Sequence, residues 1–222
     1  MFSEKFWLPS ACVRTALILV LLSAAVFPQV VDCILADVNG QIITLVDLRI
    51  LQAFGIAPGE TDEGPARSAR EVLDGAIKQK VVLGLGRENI TATKAQVDQE
   101  MEKILGRYSA EERKQKLDEF GITEDSLRPY VEEKVLYQQM LALRFAQVVN
   151  VSLKEIEDYY REKYVPAEKE KGKEPKPMIQ VLGEIESRIK AVKTSGQISA
   201  WITGLRDQAD VRINTSCLEQ VK

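Results

Sequence analysis

The chain has 222 residues and not one histidine, an absence that closes several chemical routes at once. Serine and cysteine nucleophiles ordinarily depend on an imidazole base within hydrogen-bond reach. Of the three cysteines only Cys33 and Cys217 lie beyond residue 25, and two thiols cannot close a tetrahedral metal site alone, so no metal or other cofactor is expected. Aromatics are scarce at 6% and the net charge is −3. A surface that gathers phosphates normally carries a clear excess of Lys and Arg, so nucleic acid is not an expected partner. Gly84-Leu85-Gly86 follows no strand signal and reads as a helix end, not a phosphate loop. The neighbouring pairs Glu111-Glu112 and Glu132-Glu133 diverge around a helix by about 100°, which suits solvated faces better than acid–base work. Lys80 and Lys134 lie in no pattern that would bury them as Schiff-base lysines. The expectation is a non-enzyme.

Among what is present, the first feature is an apolar run. Arg14 precedes an uncharged stretch from Thr15 to Phe27, and Ser23-Ala24-Ala25 supplies small residues for cleavage. At about 13 residues the run is short for a membrane span and fits an export signal. Residues 1–25 are therefore expected to be a cleaved signal and the mature chain to be periplasmic or otherwise exported; the alternative is an uncleaved N-terminal membrane anchor. Cleavage leaves Cys33 and Cys217, near the two ends of the mature chain, and an oxidising compartment permits a disulfide between them.

The remaining pattern is mostly helical. Asn39-Gly40 separates two short apolar-alternating runs and signals a hairpin, with strands at 34–38 and 41–44. Thr44 with Asp47, Thr93 with Gln96, Ser109 with Glu112 and Ser152 with Glu155 each have the capping-box spacing. They open helices that stop at Gly55, Gly106 and Gly121 for the first three. Between them Pro65 is expected to start a helix that buries Val72, Leu73, Ala76, Ile77 and Leu83 and ends at Gly86. Thr123 opens what reads as the longest helix, to about Val148, apolar around most of its circumference beyond Val135. A last long helix is marked by Leu182, Ile185, Ile189, Val192, Ile198, Ile202 and Leu205, with a weak point at Gly196. Val211 and Ile213 alternate as a final strand at 210–214. An isolated hairpin is marginal in water, so this strand is expected to complete a three-stranded sheet. Pairing Ile34 with Ile213 brings Cys33 near Cys217 but on opposite faces, so a bond requires Asn214–Ser216 to turn the chain over.

One run resists folding. Residues 166–177 hold four Lys, three Glu, three Pro and a Gly against a single Ala. They are expected to form a charged tether.

The order of these phrases resembles the chaperone module of the SurA and PpiD type. "ADVNGQIITLVDL" is similar to that family's opening hairpin and first helix, and "LDGAIKQKVVLGLGRENITATKAQVDQEMEKI" to its next helix pair. "LDEFGITEDSLRPYVEEKVLYQQML" and "VSLKEIEDYYREKY" extend the likeness over nearly the whole mature chain. The resemblance implies a mostly α fold with a small β-sheet, divided into a helical region at 34–164, a tether at 165–178 and a returning helix and strand at 179–217. In the family a parvulin-type prolyl isomerase domain commonly occupies the interval that 165–178 fills here, which is too short for one; parvulin sites also use paired histidines. The resemblance thus implies an exported chaperone that binds unfolded or extended polypeptides and lacks the isomerase domain. Tyr137, Met140, Leu143 and Phe145 crowd one helix, and Met beside aromatics suits a surface tolerant of varied sequences, making these four the candidate client-binding residues. The rivals are a prolyl isomerase with an unrecognised site and an assembly subunit with one fixed protein partner.

Overall fold

The computed structural model describes residues 32–58, 68–86, 90–146 and 149–219. The expected export segment, residues 1–25, and Pro65 lie outside the described residues. The chain divides between Asp32 and Cys33, and everything below concerns the second unit.

Strands β1 (Ile34–Val38) and β2 (Gln41–Thr44) flank Asn39 and Gly40, whose φ values of 51° and 84° are those a two-residue hairpin turn with the native twist demands. The Asp37 carboxylate accepts a hydrogen bond from the Gly40 N–H at 2.7 Å. The third strand, β3 (Val211–Ile213), pairs antiparallel with β1, giving the order β2-β1-β3. The fold is therefore mostly helical with a three-stranded antiparallel sheet.

The register corrects one expectation. Ile213 opposes Ala36, with Arg212 opposite Asp37 and Val211 opposite Val38, so Ile34 is not its partner. Asn39 sets this register: its N–H donates to the Asp210 carbonyl at 2.9 Å, and its side-chain oxygen accepts from the Asp210 N–H at 2.8 Å. At the other end the Asn214 N–H donates to the Leu35 carbonyl at 2.8 Å. The Asn214 side chain then caps a single helical turn, which reverses the chain. That turn brings Cys217 to Cys33, and the two form a disulfide with Cα atoms 6.4 Å apart.

Five helices follow the hairpin, α1 (Leu45–Phe54), α2 (Ala69–Leu83), α3 (Lys94–Leu105), α4 (Ala110–Phe120) and α5 (Glu124–Arg144), of which α1 and α2 pack on the sheet and α5 packs on α2 and α3. The capping boxes of Thr44, Thr93 and Ser109 are all formed. Helix α2 begins at Ser68, whose box with Glu71 fixes the start independently of Pro65, and it ends at Gly84 rather than Gly86. Helix α1 has no basic residue in its last turn, so its orphan carbonyls are met from afar. Arg107 Nη2 donates to the Phe54 carbonyl at 2.8 Å, and Tyr108 Oη and Lys116 Nζ donate to that of Ala53 at 3.1 and 3.2 Å. Phe54, fully buried, stands edge-on to Tyr108. These contacts join α1 to α3 and α4 around one core that includes Leu35, Leu48, Phe54, Val72, Ile77, Ile104 and Leu127.

Helix α5 stops at Phe145, short of the expected end, and is not the longest. That is α8, Met178–Gln208, 31 residues running unbroken through Gly196. The charged run between them is not a bare tether. Helix α6 (Leu153–Tyr159) continues through a widened turn at Tyr160–Tyr164 into α7, Val165–Glu170. In that turn the Val165 N–H reaches the Tyr160 carbonyl, five residues back. The wider turn admits Pro166, which has no N–H to offer the usual fourth carbonyl. Gly172, at φ 71°, ends the helix. Its N–H donates to the Lys169 carbonyl and that of Lys173 to the Glu168 carbonyl, both at 2.9 Å, the Schellman arrangement. Tyr160 Oη then donates to the Lys176 carbonyl at 2.8 Å, and α8 departs.

The result is a helical hairpin with its own small core of Ile156, Val181 and Ile185. Its base is fastened by Lys193, whose Nζ lies 2.5 Å from the Glu155 carboxylate and 3.1 Å from the Asn150 carbonyl. The far half of α8 packs instead on α2 and α5 through Ile202. Val192, between the two contacts, is 69% exposed, although the periodicity placed it in the stripe.

Removing the disulfide by Cys33→Ser with Cys217→Ser should lower stability substantially. The bond spans 184 residues, and the chain-entropy model gives about 5 kcal/mol as a ceiling. Urea unfolding of oxidised and variant protein measures the loss, and thiol titration of the denatured, unreduced chain should find neither Cys33 nor Cys217 free. The hairpin carries its own pH signature. Hydrogen bonds from Lys193 and from Ser152 at the helix start pull the Glu155 carboxyl from 4.5 down to about 2. Because the folded value is depressed, the stabilisation is complete above pH 4.5 and lost as the pH falls toward 2. Amide exchange across α6 should accelerate in that window, and Glu155→Gln should flatten the dependence.

Candidate functional site

Helix α2 and the C-terminal half of α8 touch through Ile202 and the Asp74–Arg206 pair and leave a groove between them. It encloses about 840 Å³. Leu73, Ile77 and Ile202 form an apolar floor with Tyr137 and Ile198, while Ile213 and Leu218 from the end of the chain border it too. Charged residues line its rim. Asp74 of α2 pairs with Lys78 at 2.6 Å and, across the groove, with Arg206 of α8. Burial would raise the Asp74 carboxyl, but its bonds to Lys78 and Arg206 outweigh that and hold it below the usual carboxylate range. The bridge therefore stays ionised at neutral pH and ties the helices together.

A second, shallower depression of about 560 Å³ lies where Leu85, Met140, Leu143 and Arg144 meet Trp201. The Trp201 ring has Phe145 edge-on at 5.5 Å and the Arg144 guanidinium at 5.5 Å. Leu143 is 68% exposed, an apolar side chain with no cover.

The four candidate residues on α5 are thus divided between the two depressions. Tyr137 faces the larger groove and is only 9% exposed; burial pushes its phenol above the ordinary value. Met140 and Leu143 line the shallower one, and Phe145 acts through Trp201. Trp201 and Ile198 belong with them although they lie on another helix. Their spacing on α8 was visible, but the pairing of that face with α5 was not. Arg206 was missed for the same reason, being 132 residues from Asp74.

Chemically, the larger groove offers hydroxyls from Ser195, Ser199, Thr203 and Thr215, and carboxylates only from Glu71, engaged with Ser68, and Asp74, held by two cations. This equipment suits holding apolar side chains between polar walls. Among the described residues no three acidic or cysteine side chains gather as a metal site, and no helix is long and apolar enough to cross a membrane. No protein-family model matches the chain, and no curated protein matches it.

The burial difference between two of the candidates gives a direct check. Tyr137→Ala should cost about 3 kcal/mol in urea unfolding, because a buried ring is deleted. Leu143→Ala should change stability by no more than about 0.5 kcal/mol, since a surface side chain has little packing to lose.

Proposed function

We propose that this chain is an exported, non-enzymatic chaperone of the SurA and PpiD kind without a parvulin domain. It holds unfolded or extended polypeptide in the groove between α2 and α8. The observation that carries this reading is the groove itself: an apolar floor with an ionised rim, open to solvent, with exposed Leu143 and half-buried Trp201 nearby. A concavity floored by apolar side chains and rimmed by a few polar and charged groups is the form that ligand sites usually take.

The arrangement of the hairpin supports the same reading. The interval 165–178, where the resemblance would insert an isomerase domain, holds only α7, its Schellman stop and a short turn into α8. The arm keeps its own small core, so it needs no inserted domain to hold it together. Binding would be weak and reversible, with no nucleotide, and release would follow from the client's own folding, which withdraws the apolar segments the groove competes for.

Permanently unfolded, carboxymethylated proteins of unrelated sequence test the proposal. Most should bind saturably in the micromolar range, compete with one another and change Trp201 fluorescence in a Trp7→Phe background. Ile198→Asp should weaken all of them at least tenfold while far-UV dichroism stays the same. A single tight partner and no others would favour the assembly subunit, and no binding at all would overturn the chaperone. An X-Pro peptide should isomerise at its spontaneous rate, over tens to hundreds of seconds; faster turnover would restore the isomerase.

A further inference from the structure

Away from the groove, a smaller cavity of about 250 Å³ lies among β2, α1, α2 and α5. Its polar residues are Asp47, Gln79, Lys80, Tyr130 and Glu133. Four of these are matched to one another or to fixed backbone. Lys80 Nζ donates to both Glu133 oxygens at 2.8 Å. Tyr130 Oη donates to Asp47 Oδ1 at 2.7 Å, and Asp47 Oδ2 accepts from the Thr44 N–H at 2.9 Å.

Gln79 is the exception. It is 4% exposed, the one buried polar residue among those described, and its carboxamide has no hydrogen-bond partner among the described residues. Neither amide atom is among the fully covered ones that lack a partner, so the residue's remaining exposure belongs to the carboxamide, which borders the cavity. A buried amide left unmatched costs about 1–3 kcal/mol. The carboxamide is therefore left to be matched from the cavity side.

The second observation comes from the sheet. Val38 opposite Gln41 and Ala36 opposite Ile43 are the pairs whose backbone groups face each other across β1 and β2. Ile42, between them, turns its N–H and C=O away from β1, toward the free edge. The cavity is bordered by both Ile42 and Ile43, whose side chains leave opposite faces of the strand. It therefore reaches the edge of β2.

We propose that the cavity is a binding site for the backbone of an extended polypeptide segment. The segment adds alongside β2 through the outward N–H and C=O of Ile42, and one of its residues presents its own N–H and C=O to the Gln79 carboxamide. In an extended chain those two groups of a residue point the same way, the donor–acceptor pair that a carboxamide complements. The charged neighbours favour a neutral ligand: Lys80 is already satisfied by Glu133, and Asp47 would repel a carboxylate. Leu51, Ala76 and Pro129 leave apolar walls for small side chains. Strand addition of this kind gives affinity through the main chain and little dependence on sequence.

The probe is acetyl-Ala-Val-Ala-amide added to the ¹⁵N-labelled chain, beside an analogue whose Val N–H is replaced by an ester oxygen. The peptide should shift the Gln79 side-chain NH₂ signals and the Ile42 amide together and saturably. The ester should bind at least tenfold more weakly, and Gln79→Leu should abolish the response. If Gln79→Leu does not fold, the peptide–ester comparison on the unaltered chain decides alone. Silence at Gln79 and Ile42 up to the peptide's solubility, or equal binding of the ester, overturns the site. Shifts confined to Ile198 and Ile202 overturn it while leaving the chaperone proposal intact. Shifts at Gln79 and Ile42 in a chain that binds no unfolded protein uphold the site and overturn the chaperone.

Discussion

Closure of the chain ends on β1 is the constraint from which the rest of the structure follows. A hairpin alone is marginal, and β3 adds only three residues, so the ladder by itself is a weak fastening. Three further ties surround it: the exchange between Asn39 and Asp210, the capped reversal at Asn214, and the Cys33–Cys217 bond. Because β3 is fixed there, the end of α8 is fixed two residues earlier. Thirty-one residues of helix then extend about 46 Å from that point. The hairpin arm is where the other end goes.

The same constraint makes the groove. Helix α8 contacts α2 where Ile202 and the Asp74–Arg206 bridge permit, and the C-terminal residues Ile213 and Leu218 wall off one side. Had the chain ended without returning to the sheet, the floor formed by Leu73, Ile77 and Tyr137 would be an uncovered helix face rather than a concavity. A floor of deeply buried residues is held by its packing, whereas exposed Leu143 beside Trp201 is of the kind whose rotamers exchange quickly. Rigid and adaptable apolar surface side by side suits a binder whose ligands share chemistry but not sequence.

How much of this was written locally can be read from the caps. Thr44, Thr93, Ser109 and Ser152 each fixed a helix start because a capping box needs only residues three apart. Gly55 and Gly121 marked two ends through their left-handed φ. The hairpin strands were legible to the residue for the same reason. What failed was read against long-range or compensating effects. Pro166 reads as a breaker, yet a widened turn absorbs it. Val192 continues a stripe whose two halves bury in different places. Ile213 pairs two positions away from the expected residue because Asn39 and Asn214, not the hydrophobic pattern, set the register; a shift by two keeps each side chain on its face, so the pattern could not distinguish them. Of the α5 cluster, the helix was legible but not its division between two depressions, which depends on where α8 crosses.

Gln79 shows the limit most clearly. On α2 it sits among Ala76, Ile77, Val81 and Val82, and its neighbours Lys78 and Lys80 both find carboxylates. Nothing in the spacing separates a glutamine on a solvated face from one that is buried. The structure separates them, and it separates the two sheet edges as well. Among the described residues both β2 and β3 have a side with no strand beside it, a liability that proteins usually limit by shortness and charge. β3 is three residues long and carries Arg212, itself paired with Asp210 at 2.7 Å. β2 is not blunted in that way: its outward backbone belongs to Ile42, a β-branched apolar residue 43% exposed, beside a carboxamide that lacks a partner. An open edge in water is hydrated and costs little by itself, but its outward N–H and C=O and the Gln79 carboxamide offer donors and acceptors that one extended backbone can meet together.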